Sequence, residues 1–180
     1  MNLPNRITLM RVIMVPVFAV LMLLCPRFPY LKWAALAVFI IASLTDLVDG
    51  KLARSRGEIT NFGKFMDPLA DKLLVCTALI CLLALGRIDA WPVILIVARE
   101  FIISGIRLIA AEQGIVLAAS KIAKMKTTVQ MIMIGFLIAY LPYDFYYIIC
   151  QILIILASVL TVVSLIDYII KNKNVFQGEM

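Results

Sequence analysis

The strongest constraint on this chain is a succession of long apolar runs that carry no charge. Val12–Pro26, Trp33–Thr45, Leu73–Gly86, Thr127–Tyr143 and Phe145–Ile166 are uncharged throughout. A further stretch, Trp91–Ala111, is interrupted only by Arg99, Glu100 and Arg107. Helices of a soluble bundle keep a polar face toward water, and these segments have almost none. A transmembrane β-barrel alternates apolar and polar residues over short strands, so runs this continuous also exclude that class. With 64% apolar residues, a chain of 180 could not cover itself with polar side chains in water. Six spans of about 20 residues would occupy about 120 positions and leave the rest for turns and ends. The expectation is one all-α, polytopic membrane domain over residues 1–180 with six transmembrane helices. Only Phe145–Ile166 is long enough to span by itself, so the shorter runs must continue as helix into polar turns on one side.

The cations say which side. Six spans put both termini, the loop after the second span and the loop after the fourth on one face. That face collects thirteen of the seventeen Lys and Arg residues, from Arg6 and Arg11 to Lys171 and Lys173, and the other face holds Arg27, Lys32 and Arg87. The bias predicts a multi-pass protein of the cytoplasmic membrane with both termini cytoplasmic. It also assigns the net charge of +6 to a lipid surface, with no nucleic acid expected as partner. Leu3, Ile7 and Met10, flanked by Arg6 and Arg11, predict a short interfacial helix before the first span. The N-terminus lacks a small-x-small cleavage site and does not read as a removed signal.

Histidine is absent, which excludes Ser-His-Asp chemistry and histidine-ligated zinc. Cys25, Cys76, Cys81 and Cys150 each sit in apolar sequence without C-x-x-C spacing and read as small packing residues.

Five of the eleven acidic residues fall between positions 46 and 71. Asp46 and Asp49 are spaced i, i+3, and Asp67 and Asp71 i, i+4, so each pair shares one face of its own helix. The first pair closes one span and the second opens the next, with turn formers Gly57 and Asn61 between them. Four carboxylates at the membrane edge would repel one another unless cations join them. Arg54, Lys64 or Lys72 could do so. The alternative, favoured by four aspartates without His or Cys, is an all-oxygen site for hard divalent ions, Mg²⁺ or Mn²⁺. Gly50 and Ala53 share the face of Asp46 and Asp49, and Gly63 lies one turn before Asp67. Small residues there leave room for a ligand to approach the backbone, or for close helix packing. Arg54 stands where a phosphate binder is needed.

The segment Asp46–Asp71, DLVDGKLARSRGEITNFGKFMDPLAD, fits D-x-x-D-G-x-x-A-R, eight residues, then G-x-x-x-D-x-x-x-D. All eight fixed positions are present, and the pattern resembles the signature of the CDP-alcohol phosphotransferases. The resemblance extends to LPNRITLMR at the start, REFIISGIR at 99–107 and SKIAKMKTTVQ at 120–130, which look like the bacterial branch acting on glycerol 3-phosphate. Ala123 departs from that pattern, where glycine is expected before the lysine.

The resemblance implies a six-helix homodimeric membrane enzyme of phosphatidylglycerol synthesis. It would transfer the phosphatidyl group from CDP-diacylglycerol to sn-glycerol 3-phosphate and release CMP. Position by position, it implies two divalent cations held by Asp46, Asp49, Asp67 and Asp71, with Asp71 also the general base. Asp49, Gly50, Ala53, Arg54 and Gly63 match positions that frame the CDP moiety. Other acceptors within the family are inositol phosphate, serine and phosphatidylglycerol.

A cation transporter is the rival outside enzymes, but its acids should lie near the bilayer midplane rather than at one edge. Glu100, Ser104 and Arg107 share a helical face in the fourth span, and Lys124 and Lys126 open the next on the same side. The cations Arg107, Lys124 and Lys126 are candidates for the acceptor phosphate. The competing role is an Arg107–Glu100 pair with the lysines anchored among anionic headgroups.

Overall fold

The computed structural model describes residues 3–56, 61–112 and 120–172. Within its helices the side chains of 3–9, 11, 46–56, 61–71, 111 and 112 lie outside the description. Among the described residues six helices follow one another: α1 (Leu3–Leu24), α2 (Leu31–Arg56), α3 (Asn61–Ala84), α4 (Ala90–Glu112), α5 (Lys121–Ala139) and α6 (Asp144–Lys171). No strand occurs among the described residues. The all-α expectation holds, and the short apolar runs do extend as helix into polar sequence. Leu31–Thr45 continues to Arg56 within α2, and Lys72–Ala84 begins at Asn61 within α3. By length and composition α5 and α6 can each cross a membrane unaided, whereas the apolar parts of α1, α2 and α3 are shorter.

One expectation changes. The interfacial helix foreseen before the first span is no separate element, because α1 runs unbroken from Leu3 to Leu24. Nothing between Met10 and Val12 stops a helix, and Pro16 is carried inside it.

The chain divides into two compact units, Met1–Ile88 with Leu137–Ala139, and Asp89–Phe136 with Tyr140–Met180. In the first unit α1 packs against α2 and α3. Phe18 and Met22 of α1 are fully buried, as are Ala35 and Ala42 of α2, spaced two turns apart. The Phe18 and Phe39 rings meet at 6.0 Å with a 42° tilt, an arrangement that adds about 0.5–1.5 kcal/mol beyond area burial. Leu74, Ala78, Leu79 and Leu82 form the corresponding stripe of α3. The helix stops at Gly86, whose φ of +65° lets the amides of Gly86 and Arg87 close onto the carbonyls of Leu83 and Leu82. The Arg87 guanidinium then donates to the carbonyls of Leu137 (3.2 Å) and Ile138 (2.9 Å). These carbonyls belong to the last turn of α5, which has no intrahelical donors left for them.

In the second unit α4 packs against α6, with Ile103, Ile106 and Tyr168 buried together and Leu165 beside them. The buried stripe of α6 is small and partly polar: Ala157, Ser158, Thr161 and Ser164. Its hydroxyls are satisfied within the helix, Ser158 donating to Ile154 O at 2.7 Å and Thr161 to Ala157 O at 2.6 Å. The outward face carries Ile148, Ile152, Ile155, Val159, Val162 and Ile166, all exposed. Near the start of α6 the Tyr146 ring stacks on Phe136 of α5 (centroids 5.4 Å apart), and its hydroxyl donates to Phe136 O.

Candidate active site

The signature segment occupies the end of α2 and the start of α3. Asp46, Asp49, Gly50, Ala53 and Arg54 are helical residues of α2, and Gly63, Asp67 and Asp71 are helical residues of α3. The two helices touch. Helical backbone at both ends satisfies the premise of the spacing argument, since i, i+3 and i, i+4 then share a face. The side chains of these eight residues lie outside the described residues, and so does the connecting turn with Gly57. The donor set itself is four carboxylates, hard oxygen ligands of the type that Mg²⁺ and Mn²⁺ prefer.

The second unit holds a cluster of charged side chains between α4, α5 and α6. Lys126 of α5 has no exposed surface, and its ammonium is bonded to the Glu100 carboxylate of α4. The same carboxylate oxygen accepts from Arg99 Nη1 at 3.3 Å. Arg99, only 6% exposed, turns its Nε to the Ser164 hydroxyl of α6 at 3.2 Å. Neighbouring residues of α4 therefore reach different helices, and Oε1 of Glu100 joins both arms. A lone buried ammonium would be strongly disfavoured, and a bonded carboxylate offsets that cost.

The two other cations singled out in the sequence are placed differently. Arg107 is exposed on α4, with its guanidinium 5.8 Å from the centre of the Tyr168 ring. Lys124 is exposed in the first turn of α5. That turn is capped by Ser120, whose hydroxyl accepts the Ala123 amide at 3.2 Å. Ala123 is 8% exposed, so the methyl group standing where glycine was expected is packed inside.

Three members of this neighbourhood escape a reading of the sequence alone. Ser164, Tyr168 and Gln130 are all buried, and Tyr168 OH and Gln130 Oε1 have no hydrogen-bond partner among the described residues. A signal for the first exists in Ser158, Thr161 and Ser164, three hydroxyls at one-turn spacing in an otherwise apolar helix. It marks the side of α6 that faces protein.

The family model for CDP-alcohol phosphatidyltransferases matches residues 1–163. A Bacillus subtilis protein named CDP-diacylglycerol–glycerol-3-phosphate 3-phosphatidyltransferase is 42% identical, the match covering 95% of each chain. Proteins of the same name from Rickettsia typhi and Rickettsia bellii are 42% and 39% identical over 76% of this chain, covering 76% and 75% of their own lengths. A match over nearly the whole length, carrying a complete signature on two consecutive helices, settles the family: the chain belongs to the CDP-alcohol phosphatidyltransferases.

Proposed function

We propose that this protein transfers the phosphatidyl group of CDP-diacylglycerol to sn-glycerol 3-phosphate, forming phosphatidylglycerophosphate and CMP. The observation that carries the reading is the complete D-x-x-D-G-x-x-A-R…G-x-x-x-D-x-x-x-D pattern, in a chain whose relatives are named for this reaction.

In the proposed mechanism Gly50, Ala53 and Gly63 leave backbone room for the nucleotide, and Arg54 holds a phosphate of the CDP group. Arg107, Lys124 and Lys126 hold the acceptor phosphate, whose charge the aspartates would otherwise repel. Asp71 takes the proton from the acceptor hydroxyl as its oxygen bonds to the lipid-side phosphorus. The bond from that phosphorus to the bridging oxygen breaks, and the electron pair leaves with CMP. An aspartate is a weak base for an alcohol, so it serves by accepting a proton while the new bond forms. Asp46, Asp49, Asp67 and Asp71 would hold two divalent cations, which when bound supply charge neutralisation for the pyrophosphate and the leaving group.

A bilayer setting with six spans fits the same reading. Protein exposed to water does not present a face like Ile148, Ile152, Ile155, Val159 while burying Ser158 and Thr161, but a helix against lipid does. The positive bias then puts the termini and the aspartates on the cytoplasmic side, where the nucleotide and the acceptor are water-soluble. A homodimer remains part of the proposal.

The signature is tested by Asp71→Asn, which keeps the size of the side chain and removes the proton acceptor. Turnover is expected to fall by about two orders of magnitude or more while the protein still inserts. Near-normal turnover in a correctly inserted variant would remove Asp71 from its role.

A further inference from the structure

Glu100 stands where two cations from different directions meet. Its Oε1 is bonded to the Lys126 ammonium and to Arg99 Nη1, and Arg99 is in turn held by Ser164. The lysine comes from α5, twenty-six residues along the chain, and is completely buried. Arg107 lies two turns further along α4, on the face that carries Glu100 and Ser104, about 10 Å away by the helical rise. A lysine side chain has four rotatable bonds and a near-spherical head with three donors. Such a head gives directional binding only when something fixes it, and a bonded carboxylate does so. Arg99 cannot substitute for Glu100 here, because two cations repel.

We propose that Glu100 is a positioning residue for the acceptor phosphate. It holds the Lys126 ammonium so that this cation and Arg107 act on one anion. The inference rests on the reading of Lys126 as an acceptor ligand, and the two are separated by the variants chosen. Glu100 itself touches no substrate in this account and is not a catalytic residue.

The test uses the full-length protein in lipid–detergent micelles, with KM and kcat measured for glycerol 3-phosphate and for CDP-diacylglycerol. Glu100→Gln keeps the shape and an acceptor oxygen but removes the charge. It is expected to raise the KM for glycerol 3-phosphate about tenfold, leave kcat within about threefold, and leave the KM for CDP-diacylglycerol unchanged. Glu100→Asp keeps the charge on a shorter arm and should recover part of the loss. In a Lys126→Met background, Glu100→Gln should raise the acceptor KM no further, because the group it positions is gone.

If Lys126→Met raises the acceptor KM and neither Glu100→Gln nor Glu100→Asp does, the positioning role is overturned and Lys126 stands. If Lys126→Met itself leaves that KM unchanged, the acceptor assignment falls first and this inference with it. Should Glu100→Gln not fold, Glu100→Asp decides. A several-fold rise in the acceptor KM alone supports positioning, and a joint loss of kcat, both KM values and thermal stability shows a structural ion pair instead.

Discussion

The Lys126 ammonium of α5 is bonded to the Glu100 carboxylate of α4, and the lysine side chain exposes no surface at all. A charged group so enclosed is costly for any fold to keep. In α5, a helix long and apolar enough to cross a membrane, a leucine or methionine would pack at that position without the cost. The proposed role in holding the acceptor phosphate gives that charge a use. Arg99 shares the same carboxylate oxygen, so removing Lys126 still leaves Glu100 with a partner.

That last fact makes a clean variant available. Lys126→Met preserves volume and removes the charge, and it is expected to raise the KM for glycerol 3-phosphate at least about tenfold, about 1.4 kcal/mol. Arg107→Ala, at an exposed position over the Tyr168 ring, should do the same. Neither should move the KM for CDP-diacylglycerol by more than about twofold. Steady-state kinetics with each substrate varied in turn checks this. A parallel rise in both constants would mean that these cations hold the structure and not the acceptor.

The buried bond between Arg99 and Ser164 ties α4 to α6. Ser164→Ala removes the acceptor of a charged donor and is expected to cost about 1 kcal/mol, the scale of side-chain hydrogen bonds between membrane helices. Thr161→Val, one turn earlier, loses only a hydroxyl bonded to its own helix at Ala157 O, and should be close to neutral. Reversible unfolding in mixed micelles compares the two. Equal losses would contradict the distinction between tertiary and local bonding.

Metal dependence follows from the donor set. Chelation should abolish CMP release, and Mg²⁺ or Mn²⁺ should restore it, whereas Zn²⁺ should restore little because four carboxylates offer no nitrogen or sulfur ligand. Full activity in excess chelator, with the protein's metal content measured as zero, would remove divalent ions from the account.

Much of this was legible in the residues, and what was not has a common physical cause. The six helices follow from uncharged runs bounded by turn formers, and α2 and α3 extend into polar sequence because nothing halts them. The signature positions are periodic within single helices, so a local pattern suffices to place Asp46 with Asp49 and Asp67 with Asp71 on common faces. The Glu100–Lys126 pair is different. Lys126 reads as one of three lysines opening a helix on a positive face, a description that predicts exposure, as found for Lys121 and Lys124. Its burial depends on a carboxylate in another helix, and no periodicity within α5 contains that information. The partner of Arg107 was obscured in the same way, since Tyr168 lies at the far end of α6 and becomes its neighbour only when α4 packs there. The separate interfacial helix failed for a simpler reason: a change of polarity along a helix is not a helix break, and α1 continues through it.

The identity of the acceptor is tested most directly by CMP release. Purified protein in micelles containing CDP-diacylglycerol and Mg²⁺ is given glycerol 3-phosphate, inositol phosphate, serine or phosphatidylglycerol in separate reactions, and the lipid product of each is identified. CMP release with glycerol 3-phosphate is expected at a rate at least about a hundredfold above the others, with phosphatidylglycerophosphate as the product. Such a difference is about 2.7 kcal/mol in transition-state binding, within reach of a site built around cations for a dianionic phosphate. Rapid CMP release with one of the other acceptors, and none with glycerol 3-phosphate, would contradict it.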